Sequence, residues 1–168
     1  MNAATATRDE IDEILDAVKD PEVPVLSVVE LGIVRDVRLD GGVVTVTLTP
    51  TYSGCPAMRV IEQDITAALA ARGLAVRIEI VYAPAWTTDW MSDEAKRKLE
   101  AYGIAPPGTA THETLVSLTR APATGAAPRC PYCHSRDTVV KSEFGSTACK
   151  SICFCNACRQ PFEMFKAI

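Results

Sequence analysis

Residues 129–135 read Arg-Cys-Pro-Tyr-Cys-His-Ser, and their core, Cys130-x-x-Cys133-His134, suits three different chemistries. Cys-x-x-Cys-His attaches c-type haem, Cys-x-x-Cys alone can be a thiol-disulfide couple, and Cys-Pro-x-Cys is half of many zinc sites. A second pair, Cys155-Asn-Ala-Cys158, follows after 21 intervening residues. Two such turns, each holding two sulfurs about 2.3 Å from one ion, are what a tetrahedral four-thiolate site needs. The spacing therefore predicts Cys130, Cys133, Cys155 and Cys158 as metal ligands and leaves His134 a bystander. Four thiolates leave no open coordination position, so the site reads as structural. One zinc ion is the expected occupant, and iron or an iron-sulfur cluster could take the same sulfurs.

Three further cysteines need separate readings. Cys149 and Cys153 lie four apart on a strand-like segment, so both point to one face and read as small buried hydrophobes. Cys55 stands apart in Thr49-Pro-Thr-Tyr-Ser-Gly-Cys55-Pro-Ala-Met. A thiol at a helix N-terminus meets unpaired N–H groups and the positive end of the helix dipole, which favour the thiolate. Cys55 could then be a nucleophile or a soft-metal ligand; the bland alternative is an inert cysteine at a helix start. Neither histidine, His112 or His134, lies near it in sequence, so a Cys-His catalytic pair is poorly supported.

The elements that must position these thiols can be read from periodicity. Thr7-Arg-Asp-Glu10 fits a capping box, with Ile11, Ile14, Leu15 and Val18 on one helical face, ended by Asp20-Pro21. Residues 33–39 and 43–49 read as strands joined at Asp40-Gly41-Gly42, the second alternating apolar residues with threonines. A helix is predicted from Cys55-Pro56, with Pro at its first position, through Met58, Ile61, Ile65 and Leu69 to Gly73. A strand over 76–81 follows, and strand-helix-strand order implies parallel pairing. A third helix begins near Ser92 and ends at Gly103. In the loop before it, Trp86 and Trp90 either cover the end of the sheet or bind a partner, and covering the sheet is favoured. The expected fold class is α/β (α+β): a small mixed sheet with three helices over 1–105, then a four-cysteine ribbon. Residues 106–128 read as a linker with an edge strand over 114–118, and residues 129–168 as the ribbon. A segment of that size holds too little core unaided, so its metal would supply much of the folding free energy.

The 168 residues are 48% hydrophobic and 23% charged, as in a globular protein with a packed core. The start, MNAATATRDEIDE, lacks the basic and apolar regions of a secretory signal, and no apolar run reaches the roughly 18 residues of a membrane span. A cytoplasmic location follows as the expectation. There, seven cysteines hold metal or react rather than form disulfides, and haem attachment is disfavoured. Net charge is −4 overall; residues 129–168 carry six Lys/Arg against three acids, or +3, so the rest carries −7. One divalent ion on four thiolates brings the ribbon to +1, which argues against nucleic-acid binding.

The segments DPEVP, ELGIVRDV, VTVTLTPTYSGCP and APAWTTDWMSDEAK together resemble the SufT-like domain of iron-sulfur assembly factors over residues 10–104. The ribbon, containing FGSTACK and ending in PFEMFKAI, extends the match to nearly the whole chain. In this combination the chain resembles the PaaD/PaaJ family of the bacterial phenylacetyl-CoA epoxidase system. The resemblance implies an accessory subunit of a ring-epoxidising monooxygenase in aerobic phenylacetate breakdown. Its role would be maturation or repair of iron or iron-sulfur centres, without catalysis of its own. Partners would be the oxygenase and reductase components, with a homodimer allowed and neither nucleic acid nor membrane involved. The resemblance makes Cys55 the transfer thiol, carrying a transient iron or cluster, with Asp20, Glu22, Thr49 and Thr51 as polar neighbours. It matches Cys130, Cys133, Cys155 and Cys158 to the family's ligands and places Cys149 in a family motif. A general iron-sulfur carrier is the alternative. A thiol-disulfide oxidoreductase fits less well, because its Cys-x-x-Cys would open a helix after a strand and here precedes a hairpin.

Overall fold

The structure, a computed structural model, describes residues 6–108 and 127–167, and the edge strand expected over 114–118 lies outside them. By its internal contacts the chain forms two units: residues up to Trp86 with Trp90–Lys98, and Thr87–Asp89 with the residues from Leu99 onward. Among the described residues, no helix is long and apolar enough to cross a membrane.

In the first unit, helix α1 spans Arg8–Ala17 and opens with the expected capping box: Thr7 and Glu10 satisfy each other's backbone N–H groups. It stops three residues short of Asp20, because that carboxylate builds a turn of its own. Asp20 Oδ1 accepts from the N–H groups of Glu22 and Val23, both at 2.8 Å. Strands β1 (Val34–Asp40) and β2 (Val43–Leu48) pair antiparallel across Gly41-Gly42. Helix α2 (Ala57–Ala70) returns the chain so that β3 (Ala75–Ile80) runs parallel to β2, giving sheet order β1-β2-β3. Pro56 is the N-cap of α2, one position before the helix proper, so Cys55 lies just outside it.

The core of this unit follows the two periodicities. Val44, Val46 and Leu48 of β2 are fully buried, as are Ile61, Ile65 and Leu69 of α2 and Ile11 and Leu15 of α1. Each contributes roughly 1.5–3 kcal/mol by leaving water. Helix α3 (Asp93–Tyr102) starts at Ser92, whose Oγ accepts from Ala95 N–H at 3.0 Å, and its last turn lies in the second unit.

The second unit carries a four-stranded sheet in the order β4-β7-β6-β5. Strands β5 (Thr138–Ser142), β6 (Lys150–Cys155) and β7 (Pro161–Phe165) form an antiparallel meander, and the two-residue β4 (Ile104–Ala105) adds in parallel to β7. Its apolar centre is small: Ala105, Cys130, Cys153, Cys155 and Phe162.

Candidate metal centre and thiol site

The two Cys-x-x-Cys turns have one local design. In the first, His134 N–H donates to Cys130 O at 2.9 Å and Cys130 N–H to Ser135 O at 2.9 Å. In the second, Arg159 N–H donates to Cys155 O at 2.9 Å and Cys155 N–H to Gln160 O at 3.0 Å. The residue after each second cysteine takes a left-handed conformation, His134 at φ 61° and Arg159 at φ 64°. That backbone folds each turn so tightly that both of its sulfurs face inward.

The β5–β6 hairpin then superimposes the turns in space. Register sets Thr138 opposite Cys155, so the strand leaving the first turn lies beside the strand entering the second. Asn156 ties them together, its N–H donating to Asp137 O at 2.9 Å and its amide to Asp137 Oδ1 at 2.8 Å. As a result the sulfurs of Cys130, Cys133, Cys155 and Cys158 all lie within 4.8 Å of one another. The Cys130–Cys158 and Cys133–Cys155 separations are 3.7 and 3.5 Å. A tetrahedron of about 2.3 Å metal–sulfur bonds has edges of about 3.8 Å, so the cluster fits a tetrahedral ion. These distances are far beyond the roughly 2.05 Å of a disulfide, and all seven cysteines are free thiols.

The cluster's electrostatics also suit a cation. The Cys158 N–H, with hydrogen bonds from Cys133 and Cys158, pulls Cys155 down to about 7. Desolvation and its three thiol neighbours push Cys158 up to about 12. Four thiols this close cannot all ionise until a positive ion balances them. His134 stays outside the cluster, with Nδ1 3.3 Å from Glu100 Oε1. Its place in the chain reflects the left-handed turn, a role that the Cys-x-x-Cys-His pattern concealed. Cys153 packs in the small core, where burial pushes its thiol up, whereas Cys149 is buried with its sulfur 3.1 Å from Thr147 Oγ1.

Cys55 lies half-buried at the end of the loop from β2, with its N–H donating to Tyr52 O at 3.2 Å. The expectation that the helix start favours its thiolate is overturned. Burial is the largest influence and pushes the thiol up, and the carboxylates of Glu22 and Asp20 push it further. The N–H groups of Ala57 and Met58 pull it down, but they do not win. Of the four neighbours expected, Asp20 and Glu22 thus act on the sulfur directly through their charge. Thr49 and Thr51 are buried in the segment that leads to it, and Thr49 N–H is fixed to Ile33 O at 2.9 Å. Trp86 is buried at 3% exposure with its indole N–H donating to Leu31 O at 3.1 Å, so it serves packing. Trp90 is half-buried beneath the Arg35 guanidinium, 3.5 Å from its ring centre.

Comparison with known proteins joins these two regions. Residues 8–80 match the family described as iron-sulfur cluster assembly protein, and residues 116–166 match the PaaD zinc beta ribbon domain. A crystal structure of a domain of unknown function, DUF59, from Bacillus anthracis is 32% identical with a TM-score of 0.51, covering 54% of this chain and 89% of that one. An Fe-S protein maturation auxiliary factor of Porphyromonas gingivalis is 37% identical over 101 residues, 58% of this chain and 95% of that protein. Fold and site together define a two-part protein, an iron-sulfur-assembly-type domain followed by a four-cysteine metal-binding ribbon.

Over 161 residues the chain is 43% identical to an Escherichia coli protein that carries, provisionally, the name of the fourth-lettered (D) component of 1,2-phenylacetyl-CoA epoxidase. That similarity covers 95% of this chain and 92% of the relative. The chain belongs to this PaaD family of 1,2-phenylacetyl-CoA epoxidase subunits.

Proposed function

We propose that the protein is an accessory subunit of a cytoplasmic phenylacetyl-CoA epoxidase system and matures or repairs the iron or iron-sulfur centres of its oxygenase and reductase components. The observation that carries this reading is the joining of the two matched modules in one chain, alongside a relative named as an epoxidase subunit over nearly full length. In this reading zinc occupies Cys130, Cys133, Cys155 and Cys158 and supplies folding energy to the ribbon. Cys55 is the transfer thiol. Burial and the charges of Asp20 and Glu22 push it up and so favour its protonated form. An arriving iron ion or cluster would displace that proton and be balanced by the two carboxylates, and losing the cargo would restore the neutral thiol. A site that disfavours its own anion holds cargo weakly, as a transfer step requires.

The test is to produce the oxygenase and reductase with and without this chain, purify them anaerobically, and measure iron, sulfide and epoxidation. Restored metal and activity with wild type but not with Cys55→Ser is the expected result. Full iron and full activity in its absence would end the proposal. A second reading, a general iron-sulfur carrier, draws on the match of 58% of this chain to 95% of the Porphyromonas maturation factor. It predicts transfer to unrelated iron-sulfur apoproteins at the same rate as to the epoxidase components.

A further inference from the structure

The ribbon carries several large apolar side chains that are exposed, Val139, Val140, Phe144 and Ile152 among them. On β6, Ile152 and Phe154 are two apart and share a face, and Val139 of β5 lies opposite Phe154 in register. Ile152 is 39% and Val139 38% exposed, and Phe154 is half-buried. Next to Ile152 in the ladder stands Ser142, whose Oγ donates to Phe144 O at 2.8 Å and accepts from Phe144 N–H at 3.2 Å. This holds Phe144 at the end of the strand, 66% exposed.

The surrounding motif keeps Phe144 in that position. Gly145 N–H donates to Lys150 O at 2.7 Å, and a Cβ on Gly145 would come within 2.8 Å of Glu163 Oε1. The same carboxylate accepts from Ser146 N–H at 2.8 Å and pairs with the buried Lys150 ammonium at 2.9 Å. The Phe-Gly-Ser-Thr-Ala-Cys-Lys stretch therefore builds a braced support for an aromatic ring that packs against no core of its own. Ordering a large apolar side chain in water stabilises nothing by burial, which points to an external contact.

Charge identifies the kind of contact. Lys166 sits 4.4 Å from the Phe144 ring centre, and Lys141 and Arg159 lie 5.6 and 5.7 Å from that of Phe154. The nearby acid Glu163 is matched by Lys150, and Glu143, exposed beside Phe144, stands against the three cations Lys141, Arg159 and Lys166, so the balance of charge around the exposed rings is basic. Such a surface complements an apolar patch rimmed by carboxylates. Aliphatic Val139 and Ile152 suit a protein contact better than base stacking, and a ribbon near +1 with its metal attracts phosphate weakly.

We infer that this face, centred on Phe144, Ile152 and Phe154 and framed by Lys141, Arg159 and Lys166, docks the chain onto an acidic surface of an epoxidase component. The inference rests on the functional reading above. The experiment immobilises the full-length, metal-loaded chain and measures binding of purified oxygenase and reductase components by biolayer interferometry at two salt concentrations. Phe144→Ala and Lys141→Glu, each verified for unchanged metal content, should weaken binding about tenfold or more, as central interface residues do. Higher salt should weaken wild type further. Wild-type binding that both variants preserve would overturn the docking face while leaving the maturation role standing. Absence of wild-type binding to either component would overturn both. Loss of self-association in Phe144→Ala by analytical ultracentrifugation, or loss of affinity for a single-stranded oligonucleotide, would replace the acidic protein partner with another copy or with nucleic acid.

Discussion

Gly32 and Gly73 form a matched pair that separates backbone strain from steric contact. Their φ values are +75° and +74°, so an alanine at either pays the same left-handed penalty, about 1 kcal/mol. A Cβ on Gly73 meets nothing within 4 Å, whereas one on Gly32 would lie 2.7 Å from Trp90 O and 2.9 Å from Trp90 Cβ. Main-chain atoms cannot rotate away, so Trp90 would have to retreat by about 0.7 Å to reach ordinary contact, at the roughly 1–3 kcal/mol of an overpacked site. That movement would disturb the Arg35 stack and the Ser92 N–H to Glu30 O hydrogen bond of 3.2 Å. Gly73→Ala should therefore lose about 1 kcal/mol and Gly32→Ala about 2–4 kcal/mol. Both of the chain's tryptophans, Trp86 and Trp90, belong to the first unit, so urea unfolding followed by tryptophan fluorescence reports on that unit. Equal losses in the two variants, within about 0.5 kcal/mol and at unchanged slope, would refute the steric argument. Because Ile33 O, next to Gly32, holds the N–H of Thr49 on the segment leading to Cys55, Gly32→Ala should also speed alkylation of Cys55.

Three further outcomes follow from the site. Cys130→Ser, or a strong chelator, should remove the ribbon's metal and unfold its sheet, and His134→Ala should keep full metal content; elemental analysis with circular dichroism checks both. Asp20→Asn and Glu22→Gln each remove a charge that raises the Cys55 thiol, so iodoacetamide should label Cys55 faster at pH 8 than in wild type, as read by peptide mass spectrometry. Burial pushes the Glu30 carboxyl up, but the Lys98 ammonium and the Ser27 N–H outweigh it and hold it below its ordinary value of 4.5. A lowered folded pKa contributes stability above about pH 4.5 that fades as pH falls through it, so Glu30→Gln should destabilise the first unit at pH 7. Its deficit in melting temperature against wild type should shrink below pH 4, and a constant deficit across that range would refute the linkage.

What could be read from the chain in advance was the chemistry set by neighbours in sequence. Two residues between thiols make a turn that aims both sulfurs one way, and one hairpin is enough to bring two such turns together; Cys130, Cys133, Cys155 and Cys158 needed nothing more. The Thr7 capping box and the buried face of α2 are local in the same sense. The state of Cys55 is not. The helix start acts on it only through the N–H groups just beyond, those of Ala57 and Met58, and these do lower the thiol as expected. The sign is reversed by burial against the folded core and by two carboxylates that arrive from the turn after α1, more than thirty residues earlier. That turn exists because Asp20 ends the helix pattern by capping Glu22 and Val23, so the residue that shapes the loop also charges the thiol's surroundings. The consequence for mechanism is specific: the fold pushes the Cys55 thiol up, so a cation binding there must displace a proton that the surroundings favour, while the same two carboxylates that raise the thiol would offset the cation's charge.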